Sequence, residues 1–172
     1  MPPLRNIGPH HQAPADASRG FSVLLVEDNP INMRLLEACV KKVKCTYMKA
    51  FDGVEAVEKY KEMSPWGPSV VLLDISLPLM DGLEACKQMR AYSEKMATNA
   101  VAINPHAMDK IEMRSCLVVA ITALSSEQDV QRGIESGVDE WRVKPANLPK
   151  LTSDLRAWQA KWQEEHQLSS MG

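Results

Sequence analysis

The sequence predicts a doubly wound α/β fold, a five-stranded parallel sheet with helices on both faces. Three observations point there. The runs Ser22–Val26 (SVLLV), Val70–Leu73 (VVLL) and Cys116–Ile121 (CLVVAI) are apolar without alternation, as expected of strands buried on both faces. Segments with helical spacing of apolar residues follow the strands. The connections are too long for hairpins, so successive strands run parallel. A chain of 172 residues, 45% apolar, suits one such domain with a real core.

The elements follow in order. Met1–Gly20 carries four prolines and no apolar cluster, and reads as a disordered tail or linker, with His10–His11 solvated inside it. After the first strand, Asn29 and Pro30 supply a helix cap and a first-turn proline. Ile31, Leu35, Leu36, Cys39, Val40 and Val43 then recur at helical spacing. Cys45–Ala50 is a second strand. Asp52 with Glu55 resembles a capping box for a helix whose apolar side is Val54, Val57 and Tyr60. Gly67–Pro68 breaks the chain before the third strand, and Asp81–Gly82 opens a third helix running to about Ala91. Residues 92–115 show no strong period and read as an insertion between helix 3 and strand 4. Ser126 caps a fourth helix that ends at Gly137. Asp139–Val143 is a short fifth strand closed by Lys144–Pro145. Leu148, Leu151, Leu155, Trp158 and Trp162 form the stripe of a last helix. The domain spans 21–166, with 167–172 a disordered tail.

Composition removes several classes of function. Twenty basic against twenty-two acidic residues give a net charge of −2, with no basic footprint for nucleic acid or an anionic membrane. No apolar run approaches the ~20 residues of a membrane helix, and no secretory h-region is present. The four cysteines form no CxxC pair and read as buried free thiols in a reducing, cytoplasmic setting.

Ligands of such a fold bind beyond the carboxyl ends of the strands. The polar residues there are Glu27 and Asp28 after strand 1, Asp74 after strand 3, Thr122 at strand 4 and Lys144 at strand 5. Each alone is a turn or surface residue; their convergence on one pole permits a narrow chemistry. Crowded carboxylates repel unless a cation is present, and hard oxygen donors at an open site suit Mg²⁺. Lys144 adds a point charge and Thr122 a hydroxyl, both suited to the oxygens of a phosphoryl group. Asp74 could itself be the nucleophile that forms an acyl phosphate.

The stretches Leu24–Asn32 (LLVEDNPIN), Val71–Gly82 (VLLDISLPLMDG), Val119–Ala123 (VAITA) and Val143–Pro145 (VKP) resemble the receiver domain of two-component response regulators. The likeness is greatest to receivers of fungal-type hybrid histidine kinases, and it covers roughly Phe21 to Trp162. The resemblance implies strand order 2-1-3-4-5, Asp74 as phospho-acceptor, and Mg²⁺ held by Glu27, Asp28, Asp74 and the backbone carbonyl of Ser76. It makes Thr122 the switch hydroxyl, Lys144 the counter-ion, Trp141 the aromatic switch residue, and Pro145 the residue after a cis bond. It also implies phosphotransfer from a histidine kinase or histidine-phosphotransfer domain, within a phosphorelay rather than as a classical enzyme.

Other readings fare worse. A phosphohydrolase needs an acid two residues after the nucleophile, where Ser76 stands, and an FMN protein needs a phosphate loop where Glu27 and Asp28 lie. A phosphorylation-independent pseudo-receiver would lack one of the acidic, Thr or Lys residues, and none is missing. Met1 favours a free-standing receiver, and the linker-like tail favours the terminal receiver of a hybrid kinase. Ser76 and Leu124 occupy the two positions that orient hydrolytic water in receivers. Neither is an amide or an acid, so a long-lived acyl phosphate is expected.

Overall fold

The computed structural model describes residues 20–63, 67–103 and 116–168. Five strands and five helices alternate along it: β1 (Ser22–Val26), α1 (Pro30–Val43), β2 (Thr46–Ala50), α2 (Gly53–Met63), β3 (Val70–Leu73), α3 (Gly82–Ile103), β4 (Leu117–Thr122), α4 (Glu127–Glu135), β5 (Glu140–Val143) and α5 (Leu148–Leu168). The sheet is wholly parallel with order β2-β1-β3-β4-β5, as expected.

Although the central strands are apolar apart from Ser22 and Thr122 at their ends, their residues alternate between two cores. Leu24, Val26, Val71, Leu73, Val118 and Ala120 face the side covered by α2 and α3. Val23, Leu25, Val70, Leu72, Val119 and Ile121 face the side covered by α1 and α5. The α5 stripe is as anticipated: Leu151 and Leu155 are buried, and Leu148, Trp158 and Trp162 pack against the same core.

Helix ends follow local chemistry. The Asn29 side chain accepts from the N–H groups of Ile31 and Asn32. Asp52 accepts from Glu55 N–H at 2.8 Å, while the Glu55 carboxylate reaches Phe51 N–H at 2.8 Å, one residue beyond an ordinary capping box. Ser126 and Asp129 complete a true one. After α4, Gly137 adopts φ +92°, which turns Gly137 N–H to the Ile134 carbonyl and Val138 N–H to that of Gly133. That is a Schellman ending, and it needs a residue tolerant of positive φ.

Four expectations need correction. On α1, Ile31 (67% exposed) and Leu35 (43%) point outward, and Met33 is buried instead. The inward stripe is Met33, Leu36, Cys39, Val40 and Val43, whose spacing keeps one face on the sheet. On α2, Val54 is 40% exposed, and Ala56, Val57, Tyr60 and Met63 make the contact. Helix α3 does not stop near Ala91 but continues to Ile103. Its extension is anchored where it leaves the sheet: Tyr92 meets Tyr60 edge-on at 6.3 Å, and Ser93 Oγ lies 2.7 Å from the Tyr60 hydroxyl. The first half of segment 92–115 is thus helix, and 104–115 lies outside the described residues. So do 1–19, with the histidine pair, and 169–172; Gln167 and Leu168 belong to α5 rather than to a tail.

All four cysteines are free thiols. Burial pushes the Cys45 and Cys86 thiols up to about 11 and Cys116 to about 12, so none of these three is primed as a nucleophile. Among the described residues no helix is long and apolar enough to cross a membrane.

Candidate functional site

Parallel hydrogen bonding continues one step past the strand ends and sets the site residues in a row. Glu27 N–H donates to the Ala50 carbonyl at 3.1 Å, Asp74 N–H to that of Val26 at 2.9 Å, and Lys144 N–H to that of Thr122 at 2.8 Å. Glu27 and Asp74 are therefore fixed by backbone, and both are buried (1% and 5% exposed). Two carboxylates in so dry a place require compensation.

Lys144 supplies it. Its Nζ lies 2.7 Å from Glu27 Oε2 and 2.7 Å from Asp74 Oδ2. Burial alone would pull the ammonium pKa down; the hydrogen bonds to Asp74 and Glu27 outweigh it and hold the group above the ordinary lysine value. The remaining oxygens are also engaged. Asp74 Oδ1 accepts Ser76 N–H at 3.1 Å, and Glu27 Oε1 accepts Asn29 N–H at 3.1 Å. Asn29 thus acts twice, as helix cap and as a fixed donor to Glu27. The sequence signals only the first role.

Asp28 is exposed beside this pair. Glu27, Asp28 and Asp74 each offer a carboxylate oxygen, all within 4.8 Å of one another. An all-oxygen, partly open donor set of this kind fits a hard divalent cation such as Mg²⁺.

Thr122 ends β4 fully buried, and its Oγ accepts Leu124 N–H at 3.3 Å. The Leu124 carbonyl in turn accepts the indole N–H of Trp141 at 3.1 Å. Lys144–Pro145 is a cis peptide bond, as the resemblance implies. The structure therefore brings Glu27, Asp28, Asp74 and Lys144 into one cluster, with Ser76 N–H on Asp74. Thr122 and Trp141 are joined to each other through Leu124.

The response regulator receiver domain family matches residues 23–113. That span contains Glu27, Asp28 and Asp74 but neither Thr122 nor Lys144, which rest on the geometry above. The response regulator SSK1 of Arthrobotrys oligospora is 34% identical over 150 residues, a match covering 80% of this chain but 14% of that protein. The receiver domain of Saccharomyces cerevisiae Ssk1, solved in complex with the histidine phosphotransfer signalling protein Ypd1, aligns with a TM-score of 0.67 at 31% identity, covering 83% of this chain and 91% of that one. The receiver domain of the Pseudomonas aeruginosa sensor histidine kinase PA1611, solved with magnesium coordinated in its active-site cleft, aligns with a TM-score of 0.60 at 24% identity, covering 82% and 98%.

Proposed function

Because this chain belongs to the response regulator receiver domain family, we propose that it accepts a phosphoryl group from phosphohistidine onto Asp74 and passes the change on as a conformational signal. The observation that carries this reading is the single ammonium of Lys144 shared at 2.7 Å between Glu27 and Asp74. It supports the reading because it balances the charge of a buried Asp74 carboxylate with an ammonium that can also meet the oxygens of an incoming phosphoryl group.

A carboxylate oxygen of Asp74 attacks phosphorus, the P–N bond of the phosphohistidine breaks, and the electron pair stays with the imidazole. Lys144, already at the Asp74 carboxylate, stabilises the charge on the phosphoryl oxygens. Thr122 offers its hydroxyl proton to the same oxygens, its own oxygen being engaged by Leu124 N–H. Glu27, Asp28, Asp74 and the backbone carbonyl of Ser76 would hold Mg²⁺, which neutralises charge between carboxylate and phosphoryl group when bound.

A histidine-phosphotransfer protein of the kind that Ypd1 represents is the donor this reading favours. Exposed apolar residues near the carboxyl pole, namely Ile31, Leu35, Phe51, Val54 and Leu79, give such a partner a surface to cover. The likeness to SSK1 favours a response regulator as the parent protein over a hybrid kinase, and a cytoplasmic setting agrees with both. Incubation with acetyl phosphate and Mg²⁺, followed by intact-mass spectrometry, should add one acid-labile phosphate to the wild type and none to Asp74→Asn. Equal labelling of both proteins would refute the assignment, and no labelling of either would favour a phosphorylation-independent interaction module.

A further inference from the structure

We propose that Gly133 is a positioning residue for this site: the side chain it lacks makes the socket that seats the Trp141 indole, and the seated indole holds Leu124 and Thr122 in place. The functional half of this inference rests on the phosphorelay reading; the structural half does not.

Gly133 lies inside α4, a helix closed by a capping box at one end and a Schellman turn at the other. Glycine in a helix interior is less favourable than alanine, so its presence in so well-finished a helix calls for compensation. The compensation is the Trp141 ring. A Cβ added at Gly133 would lie 2.7 Å from Trp141 Cε3 and closer still to Cζ3. The six-membered ring of the indole therefore rests directly on the α4 backbone.

The opposite edge of the same indole carries Nε1–H, which donates to the Leu124 carbonyl at 3.1 Å. Leu124 N–H reaches back to Thr122 Oγ at 3.3 Å. Both polar groups of the Leu124 main chain are thus committed, one to β5 through Trp141 and one to β4 through Thr122. The indole spans the gap between α4 and the β4–α4 loop. Phenylalanine at 141 would keep an aromatic ring there but donate no hydrogen bond.

Alanine at 133 improves the helix in isolation yet overlaps the indole. Either the ring leaves the socket or α4 moves off, and both outcomes break the bond to the Leu124 carbonyl. A released loop gives water access beside Thr122, so the phosphate on Asp74 should be lost faster.

The test combines spectroscopy with phosphate lifetime. In two-dimensional ¹H–¹⁵N spectra the Trp141 indole peak is identified by its disappearance in Trp141→Phe. In Gly133→Ala it should shift and exchange faster with solvent, while the Trp158 and Trp162 peaks, from the other core, stay in place. The half-life of the phosphorylated protein should fall about threefold or more, the size of one lost hydrogen bond, in Gly133→Ala and in Trp141→Phe. The double variant should fall no further than the worse single one, because Gly133 acts through Trp141. If Gly133→Ala does not fold, the double variant should, since the smaller ring relieves the overlap; failure of both to fold would overturn the socket. An unmoved indole peak, an unchanged half-life, or effects that multiply in the double variant would overturn the inference as well. Absence of phosphate on the wild type would instead refute the phosphorelay reading, and the indole peak alone would then decide whether the socket exists.

Discussion

Arg90 Nη2 lies 2.6 Å from Asp139 Oδ2, and that same carboxylate oxygen accepts Val118 N–H at 2.7 Å. The guanidinium also donates to the carbonyls of Gly137 (2.9 and 2.6 Å) and Cys116 (2.7 Å), so one side chain of α3 closes the amino-terminal ends of β4 and β5. Arg90→Ala removes this donor from the Gly137 and Cys116 carbonyls and leaves the exposed Asp139 carboxylate only Val118 N–H, and should lower stability by about 1–3 kcal/mol in urea unfolding. Arg90→Lys should recover little of it, because an ammonium cannot reproduce the fork. The phosphorylation rate of the folded protein should be unchanged, since Asp74 lies at the other pole. A large loss of rate at full folding would contradict this division of labour.

Metal affinity should depend more on Asp28 than on Glu27. Both Glu27 oxygens are already engaged, by Asn29 N–H and by Lys144, whereas Asp28 is exposed and makes no ion pair among the described residues. In calorimetric Mg²⁺ titration, Asp28→Asn should weaken binding by about tenfold or more, roughly 1.4 kcal/mol. Glu27→Gln should weaken it less. Wild-type affinity in Asp28→Asn would count against the carboxylate site.

Acid should expose a different ion cluster. Glu37 on α1 accepts the Tyr47 hydroxyl of β2 at 2.7 Å and pairs with Lys41 at 2.9 Å and Lys49 at 3.6 Å. The hydrogen bonds from Tyr47 and Lys41 hold its carboxyl down at about 2, against an ordinary 4.5. A depressed carboxylate stabilises the fold above its unfolded pKa, and the benefit fades as pH falls towards the folded one. Glu37→Gln should therefore cost about 1 kcal/mol at neutral pH, as for a well-formed surface pair with a hydrogen bond. The gap in melting temperature from wild type should close between pH 4.5 and about 2. A gap that stays constant over that range would show that the ionised carboxylate is not the source.

The lifetime of the phosphate can also be probed from the side chains. Ser76 is exposed and short, and Leu124, partly buried against the core below α4, cannot hydrogen-bond through its side chain, so neither is an amide or acid suited to hold a water in line with an Asp74–phosphoryl bond. Ser76→Asn and Leu124→Glu should each speed phosphate loss several-fold. If both proteins take phosphate and lose it at the wild-type rate, water positioning by these side chains is not limiting.

The sequence made the central strands legible because a strand covered on both faces has no polar positions to spare. It made the site legible because residues directly after parallel strands must gather at one pole. Helix α3 beyond Ala91 was hidden for the converse reason. Tyr92–Ile103 has no broad apolar stripe, and its helix draws on good helix formers such as Ala, Met, Glu and Lys with no glycine or proline within the segment. Ile31, Leu35 and Val54 misled because they are apolar without being core, and periodicity cannot tell an inward apolar face from an outward one. The Trp141–Leu124 bond was beyond reach, since it joins a side chain to a carbonyl across a loop whose path the sequence does not specify.

The alternation hidden inside the apolar strands has a consequence for how the molecule tolerates change. Leu24 and Val26 belong to one interior, Val23 and Leu25 to the other, and the sheet keeps the two apart. The Trp141 ring packs with the first interior, while α1 and α5 rest on the second. Volume changes in the two interiors should combine additively, within about 0.3–0.5 kcal/mol for well-separated pairs. Repacking α1 against the sheet should therefore leave the packing beneath α4 undisturbed, and the reverse holds equally.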